Sequence, residues 1–331
     1  VFILIFLAVV VGVSLTLFAW RAPQVTLGSA FGVLSRESLL LTNSVLLVVA
    51  TGAVLLGTLY PLIIDALNLG KLSVGPPYFN LVFAPLMVPL LFVLVPGTVA
   101  RWREARMGEL LRELRWVGLA ALVLGQWAPL ALGAWSWGTA LGATLGLWVA
   151  LGSLQHIIVR LRKPGRIGAG FWGMHIAHLG LAVVVLGITG VKSFEVERDV
   201  RMGLGDVVTI GEFTFQLKSL DEVPGPNYRA IRGVFDVSRD GKVFEQLMPE
   251  KRRYFSSAMP MTEAAIDSGF WRDLYVSLGD AVQTQPPEWS VRVYYKPFVP
   301  WLWAGVLLMT LGGLLAALDR RYRKDAPGGR S

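Results

Sequence analysis

Two of the three histidines in this 331-residue chain, His175 and His178, lie three residues apart in Gly173-Met-His-Ile-Ala-His-Leu-Gly180. The segment around them, Phe171 to Thr189, is otherwise apolar enough to span a bilayer. At helical pitch, positions i and i+3 share a face. An imidazole in hydrocarbon is costly unless it meets a partner, a cavity or a metal. Neutral imidazole is also a common ligand for haem iron. His178 sits about eight residues, or roughly 12 Å, into its span. Gly170, Gly173, Ala177 and Gly180 surround it in sequence, so a large flat group is expected to reach the backbone closely there. One reading makes His178 an axial ligand of a b-type haem. The other makes it a histidine hydrogen-bonded to a neighbouring helix. Spacing alone leaves both open. His175, one turn nearer the basic end, reads as a residue beside the ligand rather than opposite it, because two axial ligands occupy opposite faces of a macrocycle. His156, after Gln155 near the end of another span, reads as interfacial.

The elements that must position these side chains are membrane helices. The chain is 54% hydrophobic and only 16% charged, against about 25% charged in soluble domains. Seven spans fit: Val1–Trp20, Leu39–Ile63, Phe79–Ala100, Trp116–Leu132, Trp137–Ile158, Phe171–Thr189 and Phe298–Leu318. Basic residues gather in alternate loops. The first group is Arg101, Arg103, Arg106, Arg112 and Arg115. The second is Arg160, Arg162, Lys163 and Arg166, and the third is Arg320, Arg321, Arg323 and Lys324. The positive-inside rule makes that side cytoplasmic, so the +8 net charge reads as topology and a lipid surface, with no nucleic acid implied. Most tryptophans bracket spans, as an aromatic belt does. There is no cysteine, which excludes disulfides, thiolate metal sites and a cysteine nucleophile in this sequence. The chain opens at Val1 inside an apolar span without an initiator Met, and reads as the downstream piece of a longer protein.

Between the sixth and seventh spans the pattern changes to strand alternation in Phe213–Leu217, Gly233–Val237 and Ser290–Tyr294, with Asp240-Gly241 as a hairpin turn. The expected architecture is a polytopic α-helical membrane bundle with an extracytoplasmic all-β domain, barrel-like or sandwich-like, inserted before the last span. The parts are a six-span region 1–190, a periplasmic β domain 191–296, a final helix 297–318 and a cytoplasmic tail 319–331. Leu69–Asn80 reads as an outer loop, its Pro76-Pro77 forcing an extended path. It is either a docking edge for a partner or a rigid turn. Arg36-Glu37 at the start of the second span reads as a cap, with a quinone or proton site together with Asn43 as the alternative. Pro249–Tyr254 reads as a charged, solvated loop, with binding of haem propionates or a partner's carboxylates through Arg252 and Arg253 as the alternative.

Several stretches together resemble the C-terminal half of the CcmF family, the integral-membrane haem lyase subunits of bacterial system I cytochrome c maturation. They are Ser35-Arg-Glu-Ser38, Gly57-Thr-Leu-Tyr-Pro61, Ser73-Val-Gly-Pro-Pro-Tyr-Phe-Asn80, Ala177-His-Leu-Gly180, Pro249-Glu-Lys-Arg252, Met261-Thr-Glu-Ala264, Asp273-Leu-Tyr275 and Asp319-Arg-Arg321. The resemblance implies a multi-pass protein of the bacterial inner membrane. It implies a haem b held by two transmembrane histidines, of which His178 matches the second, and a transient substrate haem. It implies covalent joining of haem vinyl groups to the thiols of apocytochrome c. The implied partners are a haem chaperone, thiol-reducing subunits that present apocytochrome c, and quinol as electron donor. The segment Ser73, Val74, Gly75, Pro76, Pro77, Tyr78, Phe79, Asn80 becomes a substrate or partner loop. The tryptophan-rich haem-handling segment and the outer-surface histidines of that family have no counterpart in this sequence. The competing readings are a quinol-oxidising b-haem subunit, a haem transporter, and a scaffold or docking fragment without catalysis.

Overall fold

The structure is a computed structural model and describes residues 2–24, 31–257, 259–282 and 287–319. Arg320, Arg321, Arg323 and Lys324, expected on the basic side, and the rest of the tail after Asp319 lie outside the described residues. Seven helices among the described residues are long and apolar enough to cross a membrane. They are α1 (Phe2–Arg21), α2 (Arg36–Ala66), α3 (Pro76–Val99), α4 (Met107–Ala131), α5 (Trp137–Leu161), α6 (Ala169–Phe194) and α7 (Val299–Ala317). Among the described residues, ten strands fall between α6 and α7. The chain divides into two compact units, Val1–Leu122 with Trp148–Gly165, and Val123–Leu147 with Arg166–Ser331. Each is described by itself.

In the first unit, sequence chemistry sets the helix ends. Ser35, fully buried, caps α2 in a reciprocal box with Ser38. Arg36 N–H donates to Arg101 O at 2.9 Å, Ala105 N–H to Leu34 O at 2.8 Å and Gly32 N–H to Arg103 O at 2.8 Å. The Glu37 carboxylate accepts from Arg103 N–H at 2.9 Å, and the Arg36 guanidinium lies 5.0 Å from the Trp102 ring. The Arg36-Glu37 pair therefore serves as the cap and strap that holds the 101–105 loop against the start of α2. α4 begins at Met107 rather than at Trp116, so Arg112 and Arg115, expected in a loop, are helical. Hydropathy finds the apolar slab, whereas a helix continues past it into the polar zone.

In the second unit, strands β1 (Val196–Met202), β10 (Glu288–Pro297), β9 (Arg272–Val282) and β8 (Ala265–Ser268) form one antiparallel sheet in that order. The other sheet runs β2 (Val207–Ile210), β3 (Phe213–Pro224), β4 (Tyr228–Arg239), β6 (Glu250–Tyr254) and β7 (Met261–Glu263), with β5 (Lys242–Leu247) also on β4. The alternation anticipated in the sequence fills the space between them. Phe213, Phe215, Leu217, Phe235, Val276 and Val293 are all core. Asp240 and Gly241 have φ of 52° and 75°, the two left-handed residues that a tight hairpin matching strand twist requires. Pro249–Tyr254 is not a loop. Its residues Glu250–Tyr254 form β6, and its charges alternate across the two faces of the sheet.

Candidate functional site: two faces of helix α6

Helix α6 carries both membrane histidines, and its environment differs by face. At about 100° per residue, Gly173, Gly180 and Gly187 fall within roughly 40° of one another, with His175 and His178 roughly opposite. The glycine face meets α7. A Cβ built on Gly173 would lie 2.5 Å from Gly312 O, and one on Gly180 would lie 2.6 Å from Gly305 O. One on Gly312 would lie 2.5 Å from Ala177 N. Glycines seven apart on each helix thus let two backbones touch, the small-residue packing that lipid-embedded helices use. Asp319, just past α7 and 6% exposed, accepts from Gly170 N–H at 2.6 Å. Gly168, the N-cap of α6, supplies no side-chain cap. A carboxylate from the end of α7 therefore satisfies a free amide at the start of α6 and its positive dipole end.

The small residues beside His178 were expected to leave room for a flat ligand. They do not: α7 occupies that face. Their sequence signal was the seven-residue spacing shared with Gly305 and Gly312, which marks a helix seam rather than a pocket.

The opposite face runs His175, His178, Ala182, Leu186, Thr189 and Ser193. Towards its C-terminal end it meets the first half of α5. Thr139 and Ser193 hydroxyls lie 2.8 Å apart, and a Cβ on Gly146 would lie 2.8 Å from Leu186. Near its start, His175 is 0% exposed and its ring packs 4.5 Å from Phe171. The two imidazole centroids are 6.3 Å apart and nearly perpendicular at 88°. Nδ1 of His178 is sealed from solvent and has no hydrogen-bond partner among the described residues, while the residue as a whole is only partly buried. At Nδ1, then, no described residue supplies the hydrogen bond of the alternative reading. A sealed, unsatisfied ring nitrogen in an apolar helix signals a missing partner. Among the described residues, no group of three or more histidine, cysteine, aspartate or glutamate side chains could hold a metal ion.

A family model described as CcmF C-terminal beta-sandwich matches residues 193–297. The chain is 47% identical to the cytochrome c-type biogenesis protein CcmF of Pseudomonas aeruginosa over 98% of its length. It is 44% identical to the CcmF protein of Escherichia coli strain K12, again over 98%. The chain belongs to the CcmF family. It spans about half the length of these curated relatives, 50% in each case. A solved structure described as cytochrome c heme lyase CcmF superposes with a TM-score of 0.70 at 25% identity, covering 87% of this chain and 46% of that one.

The other residues singled out in the sequence fall elsewhere. The CcmF-like segment Ser73–Asn80 is only half a loop. Pro76 opens α3 and Pro77 follows it, because proline's fixed φ suits a first helical turn. Its aromatic residues, Tyr78 and Phe79, pack against α2. Tyr78 O–H donates to Ala53 O at 2.9 Å, and a Cβ on Gly57 would lie 2.5 Å from the Tyr78 ring. Two of the motifs that carry the resemblance, Gly57–Pro61 and Ser73–Asn80, therefore hold each other. Asn43 Oδ1 is buried without a hydrogen-bond partner among the described residues. His156 is partly buried near the end of α5.

In the sandwich, Arg252 and Arg232 both bind the buried Glu250, at 2.8 and 2.6 Å, and Arg252 stacks 4.7 Å from the Tyr228 ring. Burial alone would raise the Glu250 pKa. The bonds from Arg252 and Arg232 outweigh it and hold the carboxyl below its ordinary value. Arg252 is thus committed inside the domain. Arg253, on the other face of β6, is exposed.

Proposed function

We propose that this chain is the part of a cytochrome c haem lyase that provides one axial ligand, His178, to a membrane b-type haem. The observation that carries the reading is the sealed, unsatisfied Nδ1 of His178 on the α6 face turned away from α7. His175 lies beside it, 6.3 Å away between ring centroids, and acts on the ligand rather than on the iron. The names of the relatives support haem attachment as the activity. A b-type haem supplies one-electron chemistry, here to keep the iron of the substrate haem reduced. This chain's own contributions are a fixed imidazole, a helix pinned by α7, and the sandwich. The joining step adds a substrate thiol across a haem vinyl group. It forms one C–S and one C–H bond and needs no oxidant. The absence of cysteine in the chain fits thiols that belong to the apocytochrome.

The distribution of Arg and Lys orients the sandwich to the periplasm and the Arg101–Arg115 side to the cytoplasm of a bacterial inner membrane. The exposed residues Ser73, Pro76, Pro77 and Asn80 and the exposed Arg253 are the surfaces offered to the haem chaperone and to apocytochrome-presenting subunits. The experiment is complementation with the full-length protein that contains this chain. His178→Ala should abolish holocytochrome c formation at unchanged protein level, and a periplasm-dependent reporter fused after Asp240 should be active. Normal maturation by His178→Ala refutes the ligand role, and a reporter active only in the cytoplasmic format refutes the orientation.

A further inference from the structure

The join between the sandwich and α7 is built from aromatic rings that the haem reading does not use. Phe270 and Trp271 form the tip of the β8–β9 hairpin, closed by Gly269 N–H donating to Arg272 O at 2.8 Å. Behind the tip, Arg272 is braced on Asp267. The Trp271 ring lies 5.4 Å from Trp301 and the Phe270 ring 6.2 Å from Trp301, in the first turn of α7. Trp271 O also accepts from Phe298 N–H at 2.8 Å. Phe298 is held at φ 61°, a left-handed conformation that bulky residues adopt only where their surroundings enforce it. The hairpin tip and the bend into α7 are therefore one fixed unit.

Yet the tip is not covered. Phe270 is 67% exposed and Trp271 60%. Two large rings side by side at a hairpin tip are uncommon on a face bathed in water. Their position names the occupant. They pack on the first turn of α7, a helix apolar enough to cross a membrane that exposes Trp303 and Leu307 on another side. The first turn of such a helix lies at headgroup depth, where large aromatic side chains are enriched at the membrane–water boundary.

We propose that Phe270 and Trp271 form a lipid-inserted foot, entering the headgroup–acyl boundary beside the first turn of α7 and fixing the tilt of the sandwich on the membrane. The occupant is bilayer lipid, not a protein partner.

The chain has no cysteine, so single-cysteine nitroxide labelling is clean. The full chain is reconstituted in phosphatidylcholine–phosphatidylglycerol vesicles with a label at Phe270→Cys, at Trp271→Cys or at Leu204→Cys. Leu204 is exposed in the turn beyond β1, about seven strand residues or roughly 23 Å along from α6. Labels at 270 and 271 should collide more with oxygen, which partitions into lipid, than with a water-soluble nickel chelate. The label at 204 should show the reverse. A nickel-accessible tip matching position 204 overturns the proposal, and so does a tip reached by neither reagent, which means a protein cover. Because substitution could disturb the aromatic cluster, the unsubstituted chain is also footprinted with hydroxyl radicals in the same vesicles. Phe270 and Trp271 should escape oxidation while the exposed Phe255 reacts, and equal oxidation overturns the proposal independently of any label.

Discussion

The two faces of α6 solve opposite problems with the same few residue types. On the α7 face, Gly173 and Gly180 bring backbone against backbone, and nothing larger than hydrogen fits. On the other face, His178 presents a ring nitrogen that no described residue satisfies. Small residues adjoining a histidine in sequence therefore do not imply space around it. At helical pitch the neighbours at i−5, i−1 and i+2 of His178 fall on a different side of the cylinder. One face is closed by backbone contact along its length, while the other, packed by α5 towards its end, keeps one unsatisfied nitrogen near its start.

The largest effect should come from closing the glycine face. Gly180→Leu must push α7 away, because the atoms it meets are backbone. A loss of at least ~1–3 kcal/mol, the usual cost of core overpacking, should appear in detergent–urea unfolding, together with loss of bound haem. Tolerance of leucine there would mean that the seam is not what fixes α6. Asp319→Ala comes next. It leaves the Gly170 amide without its carboxylate and should cost about 0.5–2 kcal/mol, as lost helix caps do, with Asp319→Asn recovering part of it.

A smaller cost is expected in the first unit, where Gly57 also sits against a neighbour, but against the Tyr78 ring. A ring edge can shift and a backbone cannot, so Gly57→Ala should destabilise less than Gly180→Ala in the same assay. The reverse order would break the comparison between side-chain and backbone contacts. The smallest effect is a pH dependence from the sandwich. The pKa of Glu250 is lowered on folding, so its contribution is present above the unfolded carboxylate value and is lost as pH falls through and below it. Glu250→Gln should flatten the acid limb of the unfolding curve, measured by tryptophan fluorescence, without altering haem content.

Much of this was legible from residue order. Alternation at Phe213–Leu217 and the Asp240-Gly241 turn gave the sandwich its strands, because side-chain period and left-handed turn residues are local properties. The seven spans were legible for the same reason. What the order of residues hid was mutual packing. That Tyr78 lies on Gly57, that Gly305 faces Gly180, and that Asp319 caps a helix some 150 residues earlier depend on which helices meet. Hydropathy carries no information on that. Pro76-Pro77 misled because proline fixes φ at a value shared by extended chain and first helical turn. Pro249–Tyr254 was misread as a loop because a charged run hides strand alternation, and the carboxylate that Arg252 meets is Glu250, two residues away on the same face.

The account rests on His178 being the cofactor side of α6 and Gly180 the structural side. The most direct measurement is the reduced-minus-oxidised absorption spectrum of the full-length purified protein, with His178→Ala and His175→Ala normalised to folded protein. The prediction is loss of the b-type signal in His178→Ala and retention of most of it, with a changed midpoint potential, in His175→Ala. An unchanged spectrum in His178→Ala, or loss confined to His175→Ala, would contradict the assignment.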